Sequence, residues 1–271
     1  MSDEPNTNYD VGVPRTTSGH IPAEDRAPRA GNETLATDRQ AVVGHRRVHL
    51  PHLPGKVDQE EVRSDNELSL IYQLIRVGAE AVNQRLVLGS GGNLSARVPG
   101  SDRFVITGAA TWLDRLEVAD FSVVDLSGDV LAGATRPSSE WKLHQQTYLR
   151  RDDVNSVIHV HPQYAVLIDA MDEPIRLVTL DHAYYVRAVG RVPYLPSGSD
   201  DLAAAAADVA TDHDAMVLAF HGCSALGADI DMAFRRATNL EEAATATYRL
   251  LALGDRTTTF PREHLARLHH D

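Results

Sequence analysis

Leu68, Ile71, Leu74, Ile75, Ala79, Val82 and Leu86 recur every three or four positions. This spacing predicts a helix with one apolar face over residues 66–86. The glycine-rich run Gly89-Ser90-Gly91-Gly92-Asn93 breaks it, after which Leu94, Ala96 and Val98 alternate with polar residues as in a half-buried strand. Further short strands are expected at 104–106 and 121–126, the latter turning at Ser127-Gly128-Asp129 into a return at Val130-Leu131. Pro137-Ser138-Ser139 precedes a helical stretch at 140–150, with the serines placed to cap its first turn. The β-branched run 156–160 reads as a strand closed by Pro162, which can open the next helix. An alanine-rich helix at 200–211, a buried strand at 215–220 and a closing helix at 231–253 follow. Helices and strands are interleaved, so the expected fold is an α/β sandwich with a mixed or mainly antiparallel central sheet.

Before residue 65 the pattern is absent. Residues 1–64 are rich in Pro, Gly, Thr, Asp and Arg with few large apolar side chains, and read as a disordered arm. The expected organisation is this arm, one folded domain over 65–254 and a tail over 255–271. With 271 residues and 43% hydrophobic content, a single main domain suffices. A formal net charge of −12 argues against nucleic acid or an anionic membrane as partner, since both are bound through clustered Lys and Arg. A lone cysteine, Cys223, rules out an internal disulfide and fits a reducing cytoplasm. No apolar run reaches the length of a signal peptide or a membrane span, so a soluble, cytoplasmic protein is expected.

Chemistry concentrates in a few places. His159 and His161 lie two apart on a predicted strand, so both imidazoles project from one face and can reach the same ion. His221 follows the buried run Val217-Leu218-Ala219-Phe220 and precedes Gly222, at a strand end beside a turn. Three histidines leave a tetrahedral zinc with one open position, the arrangement of a catalytic site. Glu140 opens a helix directly after two serines and can serve as a base, or can simply complement the helix dipole. His144, one turn on, is a supporting or a core residue. Three segments can each present an anion with backbone amides: the glycine run ending at Asn93, Thr107-Gly108 at a strand end, and Ser138-Ser139 at a helix N-terminus. Neither a dinucleotide glycine pattern nor a Walker-type lysine is present, which sets nucleotides aside.

These segments resemble the class II aldolase/adducin family. The match runs in order through Gly92-Asn93-Leu94-Ser95-Ala96-Arg97, Ile106-Thr107-Gly108, Arg136-Pro137-Ser138-Ser139-Glu140-Trp141-Lys142-Leu143-His144, Val157-Ile158-His159-Val160-His161 and Phe220-His221-Gly222. The resemblance implies the family's α/β/α sandwich, zinc on His159, His161 and His221 with Glu140 as metal-side glutamate and base, and a phosphate pocket from Asn93, Thr107, Gly108, Ser138 and Ser139. It implies an aldolase-type lyase acting on a small phosphorylated sugar through a dihydroxyacetone-phosphate enediolate. It also implies a homotetramer with sites at subunit interfaces, where a neighbour's tyrosine protonates the aldehyde oxygen. In Leu180-Asp181-His182-Ala183-Tyr184-Tyr185-Val186 that role falls to Tyr184, Tyr185 or His182. Epimerase, dehydratase and decarboxylase reactions on the same scaffold, or a metal-stabilised interaction module, remain open at this point.

Overall fold

The computed structural model describes residues 64–134, 136–265 and 268, so the arm expected over 1–64 lies, but for its last residue, outside the described residues. The order is α1 (Asp65–Asn83), β1 (Asn93–Arg97), β2 (Arg103–Thr107), β3 (Phe121–Asp125), β4 (Val130–Gly133), α2 (Trp141–Arg150), β5 (Ser156–Val160), α3 (Gln163–Ala170), β6 (Val189–Val192), α4 (Asp200–Ala210), β7 (Ala215–Leu218), β8 (Gly222–Gly227), α5 (Ile230–Ala252) and α6 (Arg262–Leu265). A 3₁₀ turn at Val118–Asp120 and a π-turn at His182–Val186 complete the described elements.

Ser64 starts α1 through a capping box: its hydroxyl accepts from the Glu67 amide while the Glu67 carboxylate accepts from the Ser64 amide. The helix stops three residues short of the expected 86. Arg85 takes a positive φ of 61°, and the Leu86 amide reaches back to the Ala81 carbonyl at 2.9 Å. Leu86 and Val87 are nevertheless fully buried, so the apolar stripe continues past the helix that seemed to carry it.

The eight strands form one mixed sheet in the order β4-β3-β2-β1-β5-β8-β7-β6. Every pairing is antiparallel except β6 with β7. Alternation along the strands sorts side chains to two faces. Leu94, Ala96, Val105, Ile158 and Val160 pack under α1 and α5, whereas Phe104, Ile106, Val157, Met216 and Leu218 pack under α2 and α4. Val217 and Cys223 join α3 and α5 in a third cluster. The result is the expected α/β/α sandwich. A fully buried leucine or phenylalanine of these layers contributes about 1.5–3 kcal/mol of transfer free energy.

Two strands arise that sequence patterning does not predict. β8 consists of Gly222, Cys223, Ser224, Ala225, Leu226 and Gly227, with no β-branched or aromatic residue, yet every position is buried. Its place between β5 and β7 makes it a strand. β6 is short and lies at the sheet edge. Among the described residues no helix is long and apolar enough to cross a membrane.

Candidate metal centre and active site

The same alternation that buries Val157 under α2 and α4 turns His159 to that face, at the end of β5 where the N-terminus of α2 lies. His161 continues the period one step beyond the strand. His221 sits in the tight turn between β7 and β8, its amide bonded to the Leu218 carbonyl at 3.0 Å. Glu140 precedes α2. Contrary to the expectation that a serine caps this helix, Glu140 is the N-cap residue and makes no side-chain cap bond. Its carboxylate turns instead to the histidines, with Oε2 3.0 Å from His159 Nε2 and Oε1 3.4 Å from His221 Nε2. One ligand atom from each of Glu140, His159, His161 and His221 falls within 4.8 Å of the others.

The donor set fits a cation. His159 directs Nδ1 at the Cys223 carbonyl, 3.0 Å away, which leaves Nε2 as the ring atom turned inward. That atom meets the Glu140 carboxylate and, at 2.9 Å, His161 Nε2. Burial is the main cause that pushes His161 down to about 3, and it also lowers His221. Both rings therefore favour the neutral form, which can ligate a metal ion. Three imidazoles and a carboxylate converging within ligand distance suit a divalent ion. Burial by itself pushes the Glu140 carboxyl up, but His159, His221 and Asn93 outweigh it and hold the group well below the usual carboxylate range.

Glycine makes the centre possible at two close approaches. A Cβ on Gly222 would lie 2.5 Å from the Val160 carbonyl and 2.6 Å from His161 Cδ2. Gly92, at φ 75°, passes so near β5 that a Cβ would meet the His159 carbonyl at 2.7 Å.

Behind Glu140 runs a chain of hydrogen bonds whose direction the carboxylate fixes. A carboxylate only accepts, so Asn93 Nδ2 donates to Glu140 Oε2 at 3.1 Å and Asn93 Oδ1 must accept. His144 Nε2 then donates to Asn93 Oδ1 at 2.5 Å. His144 Nδ1 in turn accepts from Ser95 Oγ at 2.6 Å, and Ser95 accepts from the Tyr148 hydroxyl at 2.6 Å. His144 is a neutral imidazole, lowered to about 3 chiefly by burial. It orients Asn93, and through Asn93 the Glu140 carboxylate. On the other side, Ser197 Oγ donates to Glu140 Oε1 at 3.0 Å. Sequence reading missed Ser197, because it lies 57 positions from Glu140 in a Pro-Ser-Gly-Ser turn with no metal-like spacing.

Of Asn93, Thr107, Gly108, Ser138 and Ser139, the residues expected around an anion, two tethers tie the Thr107–Gly108 segment to the one that carries Ser138. Gly108 bridges to Pro137, and the Ser138 amide donates to the Thr107 carbonyl at 2.9 Å. Thr107 Oγ1 accepts from the Leu94 amide, Ser138 Oγ from the Glu140 amide, and Ser139 is exposed. Tyr184 and Tyr185 are not part of this group. They lie on the π-turn ahead of β6, beside the start of β7, whereas His221 follows the end of β7. Roughly 10 Å of strand separates the two ends. Tyr185 hydroxyl accepts from Arg235 at 3.3 Å, and Tyr184 is 46% exposed.

The family model described as "Class II Aldolase and Adducin N-terminal domain" matches residues 72–248. The chain belongs to the class II aldolase and adducin family. Within that family it is similar to an L-fuculose phosphate aldolase of Methanococcus maripaludis, 32% identical over 178 residues that cover 66% of this chain and 96% of that protein. A 3-oxo-tetronate 4-phosphate decarboxylase of Haemophilus influenzae is 29% identical, covering 65% and 86%. A solved structure of L-fuculose 1-phosphate aldolase superposes with a TM-score of 0.70 at 28% identity, covering 76% of this chain and 95% of that one. The site is thus that of a class II aldolase-family enzyme whose His/Glu cluster suits a metal ion.

Proposed function

We propose that the chain is a zinc-dependent aldolase, cleaving or forming a carbon–carbon bond in a small ketose 1-phosphate. The observation that carries this reading is a single carboxylate, Glu140, set against two inward-facing imidazoles and steered by Asn93 on one oxygen and Ser197 on the other. Three imidazoles and one carboxylate favour zinc. His159, His161 and His221 would hold the zinc, which would supply Lewis-acid polarisation of the substrate's carbonyl and hydroxyl oxygens. Asn93, Thr107, Gly108, Ser138 and Ser139 bind the phosphate, the last two at the positive end of α2. In cleavage the bond between C3 and C4 breaks, the aldehyde leaves, and the electron pair stays on the three-carbon unit. Glu140 then returns a proton to C3; in synthesis it removes that proton.

Protonation of the aldehyde oxygen is assigned to Tyr184 or Tyr185 of a neighbouring subunit in a homotetramer. Their distance along β6 and β7 from the chain's own His221, and the exposure of Tyr184, support a role in a second copy's site. A cytoplasmic location completes the reading. Decarboxylation of a phosphorylated sugar acid is the second reading, favoured by the similarity to the Haemophilus decarboxylase.

Proton NMR of dihydroxyacetone phosphate in deuterated buffer tests the first reading. The zinc-loaded protein is expected to remove one hydroxymethyl C3 proton signal stereospecifically, and to stop doing so with chelator or with Glu140→Gln. Stoichiometric metal without exchange would overturn it.

A further inference from the structure

Ser95 is a hydroxyl on an otherwise apolar face. Its Cα partners across the sheet, Ile106 on β2 and Val157 on β5, both belong to the core beneath α2 and α4, where the Phe104 ring packs beside Tyr148 with centroids 5.4 Å apart. Ser95, His144 and Tyr148 are fully buried there. A polar network in such a place is costly unless every member is satisfied.

The protons of this network run one way. Glu140 accepts, so Asn93 Nδ2 donates to it and His144 Nε2 must carry the proton that Asn93 Oδ1 accepts. His144 Nδ1 then takes the Ser95 proton at 2.6 Å, which leaves Tyr148 to donate to Ser95 Oγ. In the opposite tautomer His144 Nδ1 would donate to Ser95, and Asn93 would turn its oxygen to Glu140, acceptor against acceptor. Ser95 would then send its own proton to Tyr148, whose side-chain partner among the described residues is Ser95. The phenol proton would be orphaned in the core, and an orphaned buried donor is penalised. Burial pushes the Tyr148 phenol up, so it remains a donor in neutral solution.

We propose that Ser95 and Tyr148 are positioning residues for the reaction: they hold His144 in the tautomer that keeps the Asn93 amide on Glu140. They act through His144 and Asn93. This inference rests on the reading of Glu140 as the base of an aldolase.

Nitrogen-15 NMR of the zinc-loaded protein labelled at histidine reads the tautomer directly, with the His144 signals identified by their loss in His144→Gln. The wild type is expected to carry the proton on Nε2, and Tyr148→Phe to move part or all of the population to Nδ1. In that variant kcat for C3 proton exchange of dihydroxyacetone phosphate should fall about 10–100-fold, with KM within about twofold and zinc still stoichiometric. Ser95→Ala should behave alike, and Ser95→Thr, which keeps the hydroxyl, should retain the tautomer and the rate of the wild type. A wild-type proton on Nδ1 overturns the proposal and requires no variant to fold. So does a folded Tyr148→Phe in which neither tautomer nor rate changes, or only one does. Absence of exchange in the wild type would instead remove the aldolase reading, while the tautomer measurement would still decide whether Ser95 and Tyr148 hold His144.

Discussion

Adding one methyl group at Gly222 should damage the metal centre without touching any ligand chemically. Gly222 is outside the left-handed region, so the cost of Gly222→Ala is steric. The new Cβ would stand 2.6 Å from His161 Cδ2 and 2.5 Å from the Val160 carbonyl, with His159 Cε1 at 3.2 Å. Carbon–carbon contacts are comfortable only beyond about 3.5 Å, so the His161 ring must retreat by roughly 1 Å or the β5–β8 pairing must open. A site of this kind tolerates misplacement of about 0.5 Å. Metal affinity is expected to fall about 10–100-fold, the range seen when the support of a ligand is disturbed. Overpacking should also cost about 1–3 kcal/mol, at about 2–4 °C of melting temperature per kcal/mol for a domain of this size. Competition with a zinc-buffering chelator gives the first quantity and thermal circular dichroism the second. Zinc affinity within about twofold of wild type, together with an unchanged melting temperature, would refute the packing described around His161.

Three further outcomes follow from the site. Glu140→Gln should slow C3 proton exchange about 10²–10⁴-fold while elemental analysis still finds zinc on the three histidines; a smaller loss would deny Glu140 the role of base. Asn93→Asp replaces the amide that donates to Glu140 Oε2 at 3.1 Å with a second carboxylate oxygen, so exchange should fall at least about 100-fold. A rate near wild type would show that the hydrogen-bond chain does not orient the base. His144 is neutral in the fold and lowered to about 3 by burial, whereas in the unfolded chain it gains a proton below its ordinary value of 6.5. Its contribution to stability is therefore complete above pH 6.5 and is lost as pH falls from there toward 3, at about 1.4 kcal/mol per pH unit. Urea unfolding between pH 7 and 5 should show this slope reduced by one proton in His144→Gln, and an undiminished slope would contradict the assignment.

The histidines were legible in sequence because strand alternation translates directly into a shared face, as at His159 and His161, and because His221 ends a buried apolar run. The start of the alanine-rich helix at 200 was readable, and there the Ser199 hydroxyl accepts from the Leu202 amide at 3.1 Å. Local rules failed where tertiary context decides. The Ser138-Ser139 pair looks like a cap, but the carboxylate beside it is drawn to the histidines. β8 has the composition of a loop and becomes a strand because its neighbours bury it on both faces. Ser197 carries no pattern at all; only the crossing of the segment after β6 over the N-terminus of α2 brings it to Glu140. The family resemblance conveyed which residues gather, whereas the direction of each bond between Tyr148 and Glu140 needed the fold.

The position of β5 has a kinetic consequence. Asn93 and His159 are Cα partners across β1 and β5, and His159 faces Ser224 across β5 and β8. These pairings join segments more than 60 residues apart, so no local fragment of the chain can hold the ion. Closing such distant strands is slow, because loop entropy is lost before any contact is gained. Metal capture should therefore follow completion of the sheet's centre rather than nucleate it, and added zinc should slow unfolding while leaving the refolding rate unchanged. A bound ion would then act as a lock on a finished structure, and its departure would precede global unfolding.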